Sequence, residues 1–219
     1  QQFYNMTDSI IVGNFVGEDA LAAVGASYAL TNVFIMIAIG GGNGASVLTS
    51  QYLGAKQYSQ MKTSISTSCL TFLALSIFLG GFGFFFSGPI LRALDTPENI
   101  LGQAELYLSI YFLGMPFLFM YNVLASVFNA MGDSRTPLFL LIFSSLLNVV
   151  LDIISVTSMG MGVDGVAIAT VMAQGISVCI SFGVLLHRLK GYGHTGDEVP
   201  FKRYDRHMLA VGTKIAVPT

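Results

Sequence analysis

The stretch PLFLLIFSSLLNVVLDIISV, residues 137–156, carries one charged side chain, Asp152, and one amide, Asn148. About 20 residues rising 1.5 Å each cover the roughly 30 Å of bilayer hydrocarbon, so this segment reads as one membrane-spanning helix. Asn148 and Asp152 are four apart and share a face of it. A carboxylate near the bilayer centre costs about 2.5–3.5 kcal/mol, and such groups mark ion or substrate pathways. The bland alternative is a bond to a neighbouring helix. Such bonds average only about 0.6 kcal/mol, and Ser or Asn would supply one without a buried charge.

A second acid, Asp8, lies in the apolar segment Phe3–Val16, with Tyr4 and Gln1 four and seven residues before it on the same stripe. If the first and fifth helices are neighbours, Asp8 and Asp152 can share a proton or a cation and titrate as a pair. Hard cations such as Na⁺ take oxygen ligands, which both acids and Asn148 offer.

Composition points to lipid as the solvent of the whole chain. Charged residues are 10 % and hydrophobic residues 53 % of the 219, with a mean hydropathy of +0.70. A soluble domain carries about 25 % charge. The net charge of −2 and the lack of a basic stripe give no sign of nucleic-acid binding. Cys69 and Cys179 fall inside apolar stretches and read as small packing residues rather than a disulfide. The chain opens at Gln1 inside an apolar segment of about 14 residues, shorter than a span, so the first helix reads as truncated at its front. The opening residues show no basic region or cleavage site, so they are not expected to be a signal peptide.

Five complete spans follow, near Ala29–Ser50, Ser64–Phe86, Leu106–Met131, Pro137–Val156 and Val163–Leu186. Turn signals at Gly17-Glu18-Asp19, Gly54-Ala55-Lys56, Asp95-Thr96-Pro97, Gly132–Pro137 and Gly160-Met161-Gly162 separate them. On this zigzag Lys56, Lys62, Arg135, Arg188, Lys190, Lys202, Arg203, Arg206 and Lys214 fall on one side and Arg92 alone on the other. Cytoplasmic loops retain Lys and Arg, so the amino terminus and the tail after Leu186 are placed in the cytoplasm of a multi-pass protein of the cell (inner) membrane. The fold class is therefore all-α and polytopic. Residues 1–187 form a six-helix lobe, 188–207 a cytoplasmic linker, and 208–219 the start of a further span.

The remaining polar residues are weaker signals. Thr170 offers a hydroxyl on the sixth helix, and Asn122 and Asn129 share a face of the fourth; each alone is ordinary helix–helix glue. Pro116 predicts a kink in the fourth helix. The glycines 40–42 and 44, and Gly80, Gly81 and Gly83, read as close-packing positions or as a locally loosened helix; the first group lies inside a span with no preceding strand, which argues against a phosphate loop. His187, His194 and His207 lack metal-ligand spacing. The sequon at Asn5 lies inside a span, and no nucleophile–base pair, nucleotide motif or HExxH occurs.

The segments YNMTDSIIVG (4–13) and ALAAVG (20–25) resemble the first helix and loop of MATE multidrug exporters, of the bacterial and archaeal branch. GAK (54–56), GDSRTPL (132–138), LNVVLD (147–152) and GVAIAT (165–170) resemble later segments in the same order. The resemblance implies a lobe of six helices from a twelve-helix transporter whose lobes are related by a pseudo-twofold axis along the membrane normal. It implies export of cationic or amphipathic compounds in exchange for H⁺ or Na⁺, without a further cofactor. By the same resemblance Asp8, Asn122, Asn148, Asp152 and Thr170 are coupling residues, and Gln1 and Tyr4 face the substrate cavity. The expected partners are a small-molecule drug or toxin, membrane lipid and the second lobe. A proline found early in the first helix of the family has no counterpart after Gln1. Two alternatives remain: a lipid-linked oligosaccharide flippase, disfavoured because no Lys or Arg falls within a predicted span, and an intramembrane enzyme using Asp8 and Asp152 as an acid–base pair. A passive membrane scaffold leaves the cost of two buried acids without a purpose.

Overall fold

The computed structural model describes residues 2–192, 205–207 and 210–211. Among them there is no strand. The helices are α1 (Gln2–Phe15), α2 (Glu18–Gly54), α3 (Tyr58–Ala93), α4 (Glu98–Leu113), α5 (Met115–Ala130), α6 (Arg135–Ile153), which runs on into a π-helical turn at Ile154–Ser158, and α7 (Val163–Gly191). Four of these are long and apolar enough to cross a membrane, and α4 and α5 together meet the same measure as a pair bent by 49°.

The turns fall where the sequence places them. Gly17, Lys56, Asp95, Gly132 and Gly160 take positive φ, one in each of the five expected connections. Lys56 and Asp95 do so without glycine, Asp being among the residues that tolerate the left-handed region. The helices themselves overrun the apolar runs at both ends. α2 begins at Glu18, so residues 20–28, expected as loop, are helical. α3 begins at Tyr58, which puts Lys62 inside a helix with 1 % of its surface exposed. Lys62 was expected in a loop, and hydropathy missed it because a helix continues past the hydrocarbon while its apolar signal stops. α7 continues to Gly191, four residues past the expected end of the lobe at 187. Of the expected linker and further span, residues 193–204, 208–209 and 212–219, His194 among them, lie outside the described residues.

The expected kink sits at Gly114, two residues before Pro116. Proline at 116 has no N–H for the carbonyl of Phe112, four residues earlier. Gly80 of α3 packs onto that same carbonyl: a Cβ on Gly80 would lie 2.6 Å from the Phe112 oxygen and 3.1 Å from the Met115 Cβ. Phe34 meets the Phe112 ring edge-on at 5.0 Å. The glycines at 80 and 83 are thus packing positions against Phe112, and Gly41 packs likewise on Phe72. Gly81 faces open space.

The chain divides into two compact units. The first comprises Gln1–Ile35, Ile77–Phe117 and Ile142–Ile176, and the second Met36–Ser76, Leu118–Leu141 and Ser177–Thr219. The first has a core of Ile11, Val12, Val24, Tyr107, Val156 and Val166 with small residues between them. The second is built on Met61, Ile65, Leu124, Phe128, Leu185 and Leu189. In the second unit Asp133 caps α6, its Oδ1 accepting the N–H groups of Arg135 and Thr136 at 3.1 Å each. Its other oxygen meets Arg188 of α7 at 2.8 Å. Burial works to raise the Asp133 carboxyl, but the bonds from Thr136 and Arg135 and the Arg188 charge outweigh it and hold the group below the usual carboxylate range. Cys69 is buried, Cys179 exposed, and both are free thiols.

Candidate functional site

The first unit gathers five polar side chains from four helices. α1 supplies Asp8, α4 supplies Tyr107, α6 supplies Asn148 and Asp152, and α7 supplies Thr170. Asp8, Asn148 and Asp152 are 0 % exposed and Thr170 2 %. Nothing in hydropathy favours this, since each residue interrupts an apolar helix. The periodicity does: Asn148 and Asp152 stand one turn apart on α6, and Asp8 stands one turn from Tyr4 and from Val12 on the buried stripe of α1.

Asp8 is the hub. The Tyr107 hydroxyl donates to its Oδ2 at 3.1 Å. The Thr170 hydroxyl lies 3.2 Å from Oδ1 and 3.1 Å from Oδ2, and donates to one of them. Asn148 Nδ2 donates to Thr170 Oγ1 at 3.0 Å and lies 3.4 Å from Asp152 Oδ1, a long contact. The two carboxyl groups interact directly as side-chain neighbours. Three buried oxygens are left with no protein partner: Asn148 Oδ1, Asp152 Oδ2 and the Tyr111 hydroxyl. Unpartnered buried acceptors are costly, so they are sites that a proton or hard cation would satisfy. The donor set fits such an ion, being all oxygen and carrying up to two negative charges. It does not fit a transition metal, and no group of three or more His, Cys, Asp or Glu occurs among the described residues.

Of the residues singled out from the sequence, Asp8, Asn148, Asp152 and Thr170 come together here. Tyr4 is 1 % exposed and its hydroxyl bonds to Ser144. Asn122 belongs to the second unit and spends its amide on its own helix, Nδ2 donating to the Leu118 carbonyl at 2.8 Å. Gln1 lies outside the described residues. Tyr107, Tyr111 and Ser144 were not singled out. The signals were present: Tyr107 and Tyr111 are four apart, with rings stacked at 6.4 Å, and Ser144 stands one turn before Asn148 on the same stripe.

Comparison with known proteins gives a consistent result. "Probable multidrug resistance protein YpnP" of Bacillus subtilis is 36 % identical over 86 % of this chain and 43 % of its own length. "Probable multidrug resistance protein YoeA" of the same organism is 32 % identical over 100 % of this chain and 48 % of its own. The chain thus spans about half the length of the curated relatives it matches. A crystal structure of MATE in the bent conformation superposes with a TM-score of 0.86 at 23 % identity, covering 97 % of this chain and 48 % of that one, which bears on the fold. The fold is that of a polytopic membrane transporter family. The profile described as MatE matches residues 1–154, and the chain belongs to the MatE family.

Proposed function

We propose that this chain is the amino-terminal lobe of a twelve-helix secondary active transporter that exports cationic or amphipathic compounds in exchange for H⁺ or Na⁺ by alternating access. The observation that carries the proposal is the pair of fully buried, directly interacting carboxyls of Asp8 and Asp152, which α1, α4, α6 and α7 surround with oxygen donors. The names of the Bacillus relatives, both multidrug resistance proteins, support the export of drugs. Residues 188–207 would link this lobe to a second, and the excess of Lys and Arg favours a cytoplasmic position for that linker and for the amino terminus.

The mechanism follows from charge neutralisation. With Asp8 and Asp152 ionised, two negative charges repel across the cluster, and Tyr107, Thr170 and Asn148 partly offset them with donated bonds. A proton or Na⁺ entering at Asp8 and Asp152 cancels that repulsion and satisfies the open oxygens of Asp152 and Asn148. The helix packing of lowest free energy then differs between loaded and empty forms. An ion that binds one conformation better shifts the population toward it by its differential affinity. A cationic substrate drawn to the same negative field is released when the field is cancelled. Asn122, carried over from the family resemblance, would join the coupling residues, and Gln1 and Tyr4 would face the substrate. The chemistry is ion exchange, with no bond made or broken in the substrate and no cofactor.

The test is efflux of a fluorescent cation from vesicles carrying the complete transporter, with pH and Na⁺ gradients imposed separately. Export should follow one of the two gradients and stop when it is collapsed. Export that ignores both would refute the proposal.

A further inference from the structure

The cluster around Asp8 is one of two stacked layers. One helical turn away, the Tyr4 hydroxyl bonds to Ser144 Oγ, and the Ser144 hydroxyl points at the Ala173 carbonyl at 3.5 Å. This second layer draws on α1, α6 and α7, the same three helices that supply Asp8, Asn148 and Thr170. The register is regular. Positions 4 and 8 of α1 stand against 144 and 148 of α6, rising together, while 173 and 170 of α7 run the other way. Tyr4 and Ser144 are both buried, with 1 % and 0 % exposed. The layer holds no charge, so neither a proton nor a cation competes for its bonds.

We propose that the Tyr4–Ser144 pair is a positioning element: a neutral rung that fixes the rotation and height of α1 on α6 and so sets the cation concentration at which Asp8 and Asp152 load. The inference rests on the reading of those carboxyls as coupling groups. Its logic is geometric. Asp8 reaches Tyr107 and Thr170 only while the stripe of α1 faces α4, α6 and α7, and Tyr4, one turn along that stripe, bonds directly to α6. A bound ion needs several oxygens at once, and a shift of about 1 Å in one of them weakens the whole set. Without the rung the same ligands are present but must be ordered at the moment of binding, which lowers apparent affinity. In the Ser144 variants, which leave the Tyr4 side chain itself intact, the maximal rate, set once the ion is bound, is left largely unchanged.

The experiment uses the complete transporter in vesicles and measures initial efflux of a fluorescent cation against the concentration of the driving ion. Tyr4→Phe and Ser144→Ala should each raise the half-maximal ion concentration roughly threefold to tenfold, the effect of one hydrogen bond. The double variant should shift no further than the larger single, because both remove the same bond. Ser144→Thr, which keeps the hydroxyl, should restore the value to near that of the unsubstituted protein. Thermal unfolding verifies that each variant is folded, and Ser144→Cys, which keeps the side-chain shape but forms only weak hydrogen bonds, replaces Ser144→Ala if the latter is not. Additive shifts, or a lowered maximal rate of the Ser144 variants with the half-maximal concentration unmoved, would overturn the proposal. Loss of ion dependence in the unsubstituted protein would instead remove the coupling reading beneath it, so the two failures are distinguishable.

Discussion

Replacing Asp152 with Asn should abolish coupled export while leaving the protein at least as stable as before. The side chain is 0 % exposed, and its protein contacts amount to the neighbouring Asp8 and a long 3.4 Å approach from Asn148 Nδ2. Asn keeps an oxygen for Asn148 and adds an NH₂ that can donate to Asp8, so hydrogen bonding is conserved or improved. The change removes a charge that costs about 2.5–3.5 kcal/mol at membrane depth when ionised. Part of that cost is already relieved wherever Asp152 holds a proton. The net change in stability should therefore lie between zero and a gain of about 2 kcal/mol. On function the sign reverses: a residue that cannot shed a proton or present a negative charge to Na⁺ cannot cycle, and coupled efflux should drop at least about a hundredfold, the scale of a population shift of some 3 kcal/mol. The assays are dye efflux from vesicles and thermal unfolding in detergent on the same preparation. A variant that still exports against a gradient refutes the coupling role. A loss of more than about 1 kcal/mol would mark Asp152 as structural instead, since buried polar groups that hold a fold together destabilise it when changed.

Three further outcomes follow from the packing and the charges. Gly80→Ala should destabilise by about 1–2 kcal/mol, because a Cβ 2.6 Å from the Phe112 carbonyl costs more than the gain in helix propensity; Gly81→Ala, facing open space, should be neutral or stabilising in the same thermal-unfolding assay. Asp133→Ala removes a helix cap and should cost about 1 kcal/mol, whereas Asp133→Asn keeps the cap and should cost less. Because Asp133 sits below the ordinary carboxylate range when folded, its contribution is present above that range and lost as the pH falls through it, so the difference between the native protein and Asp133→Asn should vanish in acid. Cysteines placed singly at Lys56 and Asp95 in a protein lacking Cys69 and Cys179 should be labelled by an impermeant maleimide from opposite faces of the membrane; labelling from the same face would overturn the proposed orientation.

The helices and their turns were legible because they rest on local physics. A run of apolar residues of span length, ended by residues that accept positive φ, needs no tertiary information to be read, and Gly17, Lys56, Asp95, Gly132 and Gly160 all turn the chain where expected. Helix ends were legible only approximately, because hydropathy reports where lipid stops and not where backbone hydrogen bonding does; Lys62 is the consequence. The acids of the site were legible because a charge at membrane depth is anomalous on composition alone. The tyrosines were not, because an aromatic with a hydroxyl is ordinary in an apolar helix and becomes a site residue only through its neighbour. Tyr107 illustrates this: its ring belongs to the apolar core with Ile11, Val24 and Val166, while its hydroxyl reaches Asp8.

The bend between α4 and α5 and the position of Tyr107 are connected by the same logic. Pro116 removes the N–H that would otherwise close the helix onto Phe112, the released carbonyl and ring are covered by Gly80, Gly83 and Phe34, and Gly114 packs closely on Val171 of α7. Small residues at 80, 83 and 114 thus let α3 and α7 approach α4 closely, as bilayer helices do where small side chains line the contact. Tyr107 and Tyr111 lie on α4 just before this joint, within two turns of Gly114, so the packing that anchors the joint also fixes the height at which the Tyr107 hydroxyl meets Asp8. The sequence signs of the joint, a proline four residues after Phe112, a glycine at the joint and two glycines on α3, are separated by up to 36 positions along the chain. They become one feature only when α3, α4 and α7 are packed, which is why Pro116 alone predicts a kink and says nothing of the tyrosine it helps to place.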